Sequence, residues 1–261
     1  MGNNIEHMEN QDIAAHLQWY LDSGVNEVTG DETLDWFAQA PKTEHKSAPV
    51  HKTPVLSPDH IAREAALAVS KCSSLTELKL AITSFKGCSL EKLATHTIFS
   101  DGNPDSKIML IGDAPGADDD RDGIPFAREH GQLLDKMFGA IGLERDKDFY
   151  VTNILPWRPP GNRTPSPEEI TICLPFIKKH IELFEPELIV LLGGVSANSI
   201  LETEGNITRL RGKWHDYELQ GKKIPVFPLF HPAYLLKQPK AKGDAWRDLQ
   251  NIKARIEGKT P

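Results

Sequence analysis

The chain contains 261 residues, 39% of them hydrophobic, which is ordinary for a soluble globular protein with one full core. No apolar run approaches the ~20 residues that a membrane-spanning helix needs, and the sequence begins with no secretory or mitochondrial targeting pattern. The three cysteines form no CxxC pair, which argues against a disulfide framework and predicts a reducing, cytoplasmic location.

The formal net charge of -7 would argue against a nucleic-acid-binding protein if it were spread over the whole chain. It is concentrated instead, because residues 1–60 carry 10 acidic residues and 3 lysines, which leaves the remainder neutral overall. A neutral domain binds a polyanion through a local cluster of cations. The charge therefore leaves room for a DNA-binding face.

The amino-terminal region divides into two parts by composition. Residues 11–22 show apolar side chains at helical spacing and predict a short amphipathic helix within an extension over residues 1–39. Residues 40–58 hold four prolines among polar residues, which is typical of a flexible linker. The helix is either a tethered element that binds a protein partner or an extension that docks loosely.

Strands alternate with helices in the remaining domain, residues 59–258. Ser57 before Pro58 predicts a helix start, as does Ser166 with Glu169 three residues on. This alternation predicts a three-layer α/β/α sandwich around a central four-stranded, mainly parallel sheet. The predicted strands are 107–111, 149–154, 188–192 and 224–230, and the main predicted helices are 131–141, 167–184 and 195–202.

A loop that carries a carboxylate follows the first predicted strand. Residues 112–116 have the sequence Gly-Asp-Ala-Pro-Gly, which is neither a dinucleotide-binding loop nor a Walker A loop. The segment is either a plain turn from strand to helix or a crevice loop in which Asp113 orients a water molecule. Residues 118–120 are three aspartates, interpreted as a solvated turn with a divalent-cation site as the alternative.

Two further loops carry side chains suited to a base and its phosphates. Phe126 follows a proline in a predicted loop, where its ring is either core or one wall of a slot for a planar base. Asn153 ends the second predicted strand and either bonds local backbone or offers its donor and acceptor to the edge of a pyrimidine. The proline-rich loop beyond it carries Arg158 and Arg163, which either contact phosphates or are solvated.

The last predicted strand runs into residues 231–236, with the sequence His-Pro-Ala-Tyr-Leu-Leu. His231 is either an ordinary loop histidine or a donor placed where a leaving group gains negative charge. Leu235 and Leu236 are too apolar for a loop tip unless they pack or insert between bases. The basic residues near this loop in the predicted interface are Arg211, Lys213 and Lys237.

Taken in order, these motifs resemble those of a uracil-DNA glycosylase, specifically the family 4 branch. That family shows a Gly-Glu-Ala-Pro-Gly loop, a Pro-Phe segment, an Asn before an Arg-Pro-Pro loop, an Arg-Gly-Lys-Trp segment and a His-Pro-Ala-Tyr-Leu-Leu loop. Five motifs in the same order make the resemblance specific, and it covers roughly residues 85–255. The counterparts here are residues 112–116, 125–126, Asn153 with 158–163, 211–214 and 231–236.

The resemblance implies roles in uracil binding or catalysis for four of the matched residues. Phe126 would stack on a flipped-out uracil, Asn153 would hydrogen-bond its edge, and His231 would stabilise the departing uracil anion at O2. Asp113 stands where the family usually has Glu, and it would position or activate water.

The resemblance also implies contacts around the base and along the DNA. Ala114 and Gly116 would line the uracil pocket, where the small Gly116 leaves room at the 5-position of the base. Leu235 or Leu236 would fill the gap left by the extruded nucleotide. The other residues expected to contact DNA are Arg158, Arg163, Arg211, Lys213 and Lys237.

The chain departs from the family at a metal site. The family holds a 4Fe–4S cluster on four cysteines, and those positions fall here on Phe85, Cys88, Trp157 and Cys173. Because two of the four thiolates are missing, we expect no cofactor, and we expect the two large side chains to pack into the volume of the cluster. Cys173 also fits the apolar stripe of its predicted helix, as a plain core cysteine would.

The sequence therefore predicts a monomeric, monofunctional, base-flipping glycosylase that hydrolyses the N-glycosidic bond of uracil in DNA and leaves an abasic site. The first alternative is a catalytically weakened DNA-binding module on the same fold. The second is an unrelated α/β hydrolase of nucleotides. The presence of Asn153 together with His231 favours the enzyme.

Overall fold

A computed structural model describes residues 18–20 and 57–259. The chain divides into two compact units, Met1–Thr53 and Pro54–Pro261. In the first unit, residues 18–20 are helical. The rest of the predicted helix over residues 11–22 and nearly all of the predicted linker over residues 40–58 lie outside the described residues.

A six-stranded sheet lies at the centre of the second unit. Its strands are β1 (Asp101–Gly102), β2 (Ile108–Gly112), β3 (Phe149–Asn153), β4 (Leu188–Leu192), β5 (His215–Leu219) and β6 (Lys222–Leu229). They lie in the order β1-β3-β2-β4-β6-β5. The four inner strands are parallel and are the four that were predicted, but the prediction of a four-stranded sheet was wrong. Each edge is extended by one further strand that is antiparallel to its neighbour.

Helices cover both faces of the sheet. Ser57 caps the first of them by accepting a hydrogen bond from the amide of His60, and Ser166 with Glu169 forms the predicted capping box. No helix within residues 18–20 and 57–259 is long and apolar enough to cross a membrane. The helices are α1 (Pro58–Ser70), α2 (Leu75–Ser84), α3 (Ala117–Asp122), α4 (Arg128–Gly139), α5 (Arg145–Asp148), α6 (Pro167–Phe184), α7 (Gly194–Leu201), α8 (Ile207–Leu210), α9 (Pro232–Lys237) and α10 (Lys242–Ile256), with short 3-10 helices at Ser89–Lys92, Pro160–Asn162 and Pro239–Ala241.

Each face of the sheet has its own core, because side chains alternate along the inner strands. In β2, Met109 and Ile111 pack with apolar residues of α1, α2 and α6. Leu110, between them, packs with residues of α4 and α10 on the other face. Parallel strands buried on both faces need helices on both sides, and this arrangement is the predicted three-layer α/β/α fold.

The carboxyl ends of the four parallel strands align. Gly112 of β2 pairs with Asn153 of β3 and with Leu192 of β4, and Leu192 pairs with Leu229 of β6. The loops that follow these strands therefore leave the sheet at one edge, which is where open α/β sheets bind their ligands.

Candidate active site

A cavity of about 390 Å³ opens at this edge of the sheet, within the range of small-molecule sites. The loops after β2, β3 and β6 all contribute to its lining. The predicted site residues that line it are Asp113, Ala114, Gly116, Phe126, Asn153, Arg163, His231 and Lys237. The structure thus brings together side chains that are far apart in the sequence.

Asn153 presents an unused hydrogen-bond donor in this cavity. The residue is 6% exposed, and no group among the described residues accepts a hydrogen bond from its buried Nδ2. Gly112 makes room for it, because a Cβ at that position would lie 2.3 Å from Oδ1 of Asn153 and 2.6 Å from Cζ of Phe126. A buried amide without a partner costs free energy, so Asn153 is suited to a ligand that supplies an acceptor.

Phe126 lies in a strained loop beside Asn153. Its φ is 52°, in the left-handed region that residues with a Cβ rarely adopt. Its carbonyl oxygen would lie 1.8 Å from a Cβ at position 131, so the loop closes on α4 only because that residue is Gly131. The phenyl ring stacks on His231, with centroids 5.3 Å apart and planes at 28°. It forms a fixed apolar wall of the cavity.

Arg145 holds the backbone of the same loop through hydrogen bonds. Its guanidinium is bonded to the carboxylates of Asp101 and Asp135, each at 2.8 Å. It also donates to the carbonyl oxygens of Pro125 and Phe126, both at 3.4 Å. The left-handed conformation of Phe126 is therefore held by a cation that two carboxylates fix in place, and no local pattern in the sequence predicts this contact.

His231 is oriented by the helix that it caps. Its Nδ1 accepts a hydrogen bond from the amide of Ala233 at 3.1 Å. In a neutral imidazole this places the proton on Nε2, because a nitrogen that accepts a hydrogen bond carries no hydrogen. Burial, and to a lesser extent the charge of His130, lowers the pKa of His231 to about 4. At neutral pH the residue is an uncharged donor through Nε2.

Asp113 faces the first turn of α7. Its Oδ1 accepts a hydrogen bond from the amide of Ser196 at 2.7 Å, and the carboxylate occupies the space that a side chain at Gly193 would need. Burial raises the pKa of Asp113 to about 6, against the opposing effect of hydrogen bonds from Ser196 and Val195. At pH 7 the group is mostly ionised and is able to accept a hydrogen bond from water in the cavity.

Asp119 joins two of the loops that form the cavity, a role that was not predicted. Its Oδ2 accepts a hydrogen bond from the amide of Gly116 at 2.9 Å, and its Oδ1 accepts one from the amide of Ala127 at 2.7 Å. The interpretation of residues 118–120 as a solvated turn is wrong, because Asp119 and Asp120 are buried. The bond from the amide of Gly116 to Asp119 is one half of a capping box. Gly116 has no side chain to form the other half, so the sequence pattern of a capping box is absent and does not identify the residue.

His130 is a second imidazole on the cavity wall, and it too was not predicted. Its ring lies edge to face with His231, with centroids 6.4 Å apart and planes at 79°. His130 precedes Leu134 and Met137 of the buried stripe of α4 by four and seven residues. Helical periodicity therefore places His130 on the same face of α4, one turn closer to the amino-terminal end of the helix.

Two residues predicted to contact DNA are structural. The side chain of Arg211 is 16% exposed, and it forms two hydrogen bonds to the carboxylate of Asp248, at 2.7 and 2.6 Å, and one to the carbonyl of Asp244. Leu235 is 1% exposed and packs in the core that α4 and α10 share. These predictions are corrected, since neither side chain is available to DNA in this conformation.

The remaining predicted DNA contacts lie outside the core. Arg158 donates to Oδ1 of Asn162 at 2.6 Å, and Arg163 forms two hydrogen bonds to Glu169 at 2.8 and 2.6 Å. These bonds hold the two arginines in place on their loop. Leu236 is half-buried, and Lys213 and Lys237 are exposed.

Aromatic rings surround Phe85 and Trp157, the two positions at which the sequence resemblance implies that cluster cysteines are missing. Phe85 and Trp157 both contact Phe176 edge to face, with centroids 5.2 and 6.1 Å apart respectively. Trp157 is 1% exposed, and its indole nitrogen donates to the hydroxyl of Thr97 at 3.1 Å. Both replacements are therefore integrated into the core.

The two remaining cysteines do not complete a metal site. Cys88 and Cys173 are buried free thiols, and the hydrogen bond between them lowers the pKa of Cys88 and raises that of Cys173. Within residues 18–20 and 57–259, no group of three or more His, Cys, Asp or Glu side chains is arranged to hold a metal ion. A 4Fe–4S cluster needs four ligands, normally thiolates, so the side chains in the described part of the chain do not fit one.

Comparison with known proteins gives a consistent set of relatives. The family model of the uracil-DNA glycosylase superfamily matches residues 99–250. A type-4 uracil-DNA glycosylase of Sulfurisphaera tokodaii is 38% identical over 185 residues, which cover 69% of this chain and 84% of that protein. One of Archaeoglobus fulgidus is 37% identical over 183 residues, covering 69% and 92%. A DNA polymerase of Bacillus phage SP01 is 32% identical over 160 residues, covering 61% of this chain and 17% of that protein.

Proposed function

The chain belongs to the uracil-DNA glycosylase superfamily, and from this membership we propose that it hydrolyses the N-glycosidic bond of deoxyuridine in DNA. The products are free uracil and an abasic site. One observation carries the proposal, namely that an orphaned amide donor, an aromatic wall and a neutral imidazole donor meet in one cavity. These are the groups needed to bind a uracil and stabilise it as an anion.

Asn153 and Phe126 recognise the base. The Nδ2 of Asn153, which lacks a partner among the described residues, donates to a carbonyl oxygen of the base, and its Oδ1 accepts from the N3–H. Phe126 stacks on the ring. Because both side chains are buried, the base reaches them only after it has left the duplex stack, which is how enzymes that act on bases gain access to them.

Bond cleavage depends on His231 and Asp113. As the C1′–N1 bond breaks, its electron pair leaves with the uracil, and the anion is delocalised onto O2, where the Nε2–H of His231 donates. The sugar becomes oxocarbenium-like, and a water oxygen forms the new bond to C1′. Asp113 orients this water and accepts its proton. Its pKa of about 6 is close enough to neutrality for that task.

The enzyme works without an iron–sulfur cluster. Phe85 and Trp157, at two of the positions that the resemblance assigns to cluster cysteines, each pack edge to face against Phe176. Buried aromatic side chains contribute large apolar area and favourable edge-to-face contacts. This packing supports the loop that begins at Trp157 and carries Arg158 and Arg163, and no step of the reaction passes through a metal.

The test is a cleavage assay with the full-length protein on an oligonucleotide that carries one deoxyuridine. We expect release of free uracil and, after alkali treatment, strand scission at that position. A matched oligonucleotide with thymidine and the variant Asn153→Ala, purified in the same way, serve as controls. Affinity for the DNA without release of uracil would overturn the proposal and favour a non-catalytic binding module. Hydrolysis of free nucleotides alone would favour a nucleotide hydrolase.

A further inference from the structure

The segment that carries Phe126, residues 126–128, has a strained backbone. Phe126 and Arg128 adopt positive φ angles of 52° and 51°, although neither is a glycine. Ala127 between them is extended, with φ -74° and ψ 158°. Strained conformations of this kind persist only where the surrounding structure holds them. The contacts that hold this segment therefore decide where the ring of Phe126 lies in the cavity.

Arg145 bonds both peptide groups that flank the Cα of Phe126. Its Nη1 donates to the carbonyl oxygen of Pro125, and its Nη2 donates to that of Phe126, each at 3.4 Å. The second peptide is also held at its other end, because the amide of Ala127 donates to Oδ1 of Asp119 at 2.7 Å. The orientations of these two peptide planes define φ and ψ of Phe126. Arg145 thus acts on both backbone angles of the residue that forms the aromatic wall.

The guanidinium that makes these bonds is itself fixed by two carboxylates. Its Nε donates to Asp135 in α4, and its Nη1 donates to Asp101 in β1, both at 2.8 Å. All three nitrogens are therefore in use, and the side chain is only 12% exposed. An ammonium group presents a single nitrogen in place of this planar fork. Lysine at position 145 would keep the charge but could not occupy the three donor positions at once.

From these contacts we infer that Arg145 is a positioning residue for uracil release, which acts through the ring of Phe126. The inference rests on the proposed function, because it requires a base that stacks on that ring. Arg145 is not among the described residues that line the cavity, so it contacts neither the base nor the reacting atoms. Its effect on the reaction must pass through the backbone that it holds.

A double-mutant cycle between Arg145→Lys and Phe126→Ala tests this route. The measurement is the single-turnover rate of uracil release by the full-length protein at saturating DNA. Arg145→Lys should slow release by roughly ten- to a hundredfold, as a small displacement of a binding group can. In the Phe126→Ala background the same change should have little further effect, because the ring that Arg145 positions is gone. Affinity for a matched thymidine duplex should stay at the wild-type value.

A second measurement requires no catalysis. Fluorine NMR of protein labelled with 4-fluorophenylalanine reports on each phenyl ring, and the signal of Phe126 is identified by its loss in Phe126→Leu. In the wild-type protein this ring is stacked on His231. Arg145→Lys should shift or broaden its signal, because the backbone that fixes the ring is released.

Two further variants separate positioning from general stability. Arg211→Lys is the matched control, since Arg211 is similarly buried and also bonds a carboxylate and a backbone carbonyl. It should leave the Phe126 signal unchanged, and its effect on the rate should multiply with that of Phe126→Ala. Asp135→Asn alters a side chain that is 48% exposed, so it preserves the fold if Arg145→Lys does not. It should slow release by a factor of about two to five, with the same coupling to Phe126.

Independent effects in the cycle would overturn the inference. If the double variant is slower than Phe126→Ala by the full factor of the Arg145 or Asp135 change, Arg145 does not act through the ring. An unchanged Phe126 signal in Arg145→Lys would overturn it as well. A wild-type protein that releases no uracil contradicts the proposed function instead, and the fluorine spectra still show whether Arg145 holds the ring.

Discussion

The rings of His231 and Phe126 stack with their centroids 5.3 Å apart, so the donor and the aromatic wall of the site are positioned against each other. The amide of Ala233 fixes the tautomer of the same imidazole. A hydrogen-bond donor that is already positioned where negative charge develops in the transition state lowers the activation barrier, because the protein does not have to reorganise. Stacking and capping thus give His231 its orientation and its tautomer, and burial keeps it uncharged at neutral pH.

Replacing His231 by alanine should slow release of uracil by roughly two to three orders of magnitude, as the loss of an oxyanion donor does. The measurement is a single-turnover rate at saturating DNA, and the affinity for the duplex should barely change. The pKa of His231 is about 4, so this side chain stays largely uncharged between pH 8 and pH 5. Protonation of His231 should therefore not lower the wild-type rate over that range. Wild-type turnover in the variant would remove His231 from the mechanism.

Asn153→Asp should weaken excision of uracil, because it replaces a buried donor by a carboxylate oxygen and so disturbs the donor and acceptor pattern. The same change presents two acceptors to a base edge that carries an amino group, so any residual activity should shift toward cytosine. Competition between oligonucleotides with uracil and with cytosine measures this preference. Unaltered excision and preference would assign Asn153 to a structural role.

Two glycines of one loop form a matched pair for testing the shape of the cavity. A Cβ at Gly112 would overlap Asn153 and Phe126, whereas a Cβ at Gly116 would meet nothing closer than 3.9 Å. Gly112→Ala should therefore abolish detectable excision, and Gly116→Ala should keep most of it. Initial rates with circular dichroism as a folding control decide the matter, and equal rates would show that the base does not enter beside Asn153.

Asp113→Asn should remove the acidic limb of the pH profile. In the wild-type protein the rate should rise as the pH increases through about 6, since the pKa of Asp113 lies there and only the carboxylate accepts a proton from water. The variant should be slower and nearly independent of pH between 5 and 8. A wild-type profile that is flat across pH 6 would contradict the assignment.

The same substitution should also stabilise the fold. The folded state raises the pKa of Asp113 from 3.8 to about 6, so ionisation of this group opposes folding increasingly as the pH rises from about 4 to 6. At pH 7 the penalty is on the order of 2–3 kcal/mol. Urea unfolding of Asp113→Asn should show a gain of this order at pH 7 that disappears toward pH 4.

The purified protein should contain no iron–sulfur cluster. Phe85 supplies no ligand atom and Trp157 offers only an indole N–H, which is already bonded to Thr97. Anaerobic purification followed by an absorbance scan near 400 nm and iron analysis measures the content directly. A brown protein with about four irons per chain would contradict the prediction, and Cys72 would then be the first residue to examine as a ligand.

The fold was largely predictable because strong local patterns specify it. The inner strands β2 and β4 are apolar throughout, and β3 and β6 are apolar over most of their length. Because α6 starts with a capping box and a proline, periodicity and caps suffice. The edge strands carry weaker signals. β1 has two residues, and β5 alternates between half-buried and exposed positions. Their pairing depends on the neighbouring strand rather than on their own sequence.

The site was predictable only where a motif or a strand end marks it. Strand ends placed Asp113, Asn153 and His231 together, and the register confirms that their strands end at one edge. Whether Arg211 is held in the fold or free to contact DNA depends on Asp248, a partner 37 residues away. Nothing local distinguishes that arginine from an exposed one. Long-range pairing of this kind is what a single sequence does not reveal.

The hydrogen bonds of the Asp119 carboxylate affect the free energy that is available for binding a substrate. It accepts hydrogen bonds from the amides of Gly116 and Ala127, so the loop after β2 and the loop that carries Phe126 are both held by one side chain. Under the proposed function, a base that enters the cavity meets loops that are already held in place, so little conformational entropy is lost and more of the binding energy remains for extruding the nucleotide. We therefore expect selectivity to come from a cavity whose shape is set before the base binds.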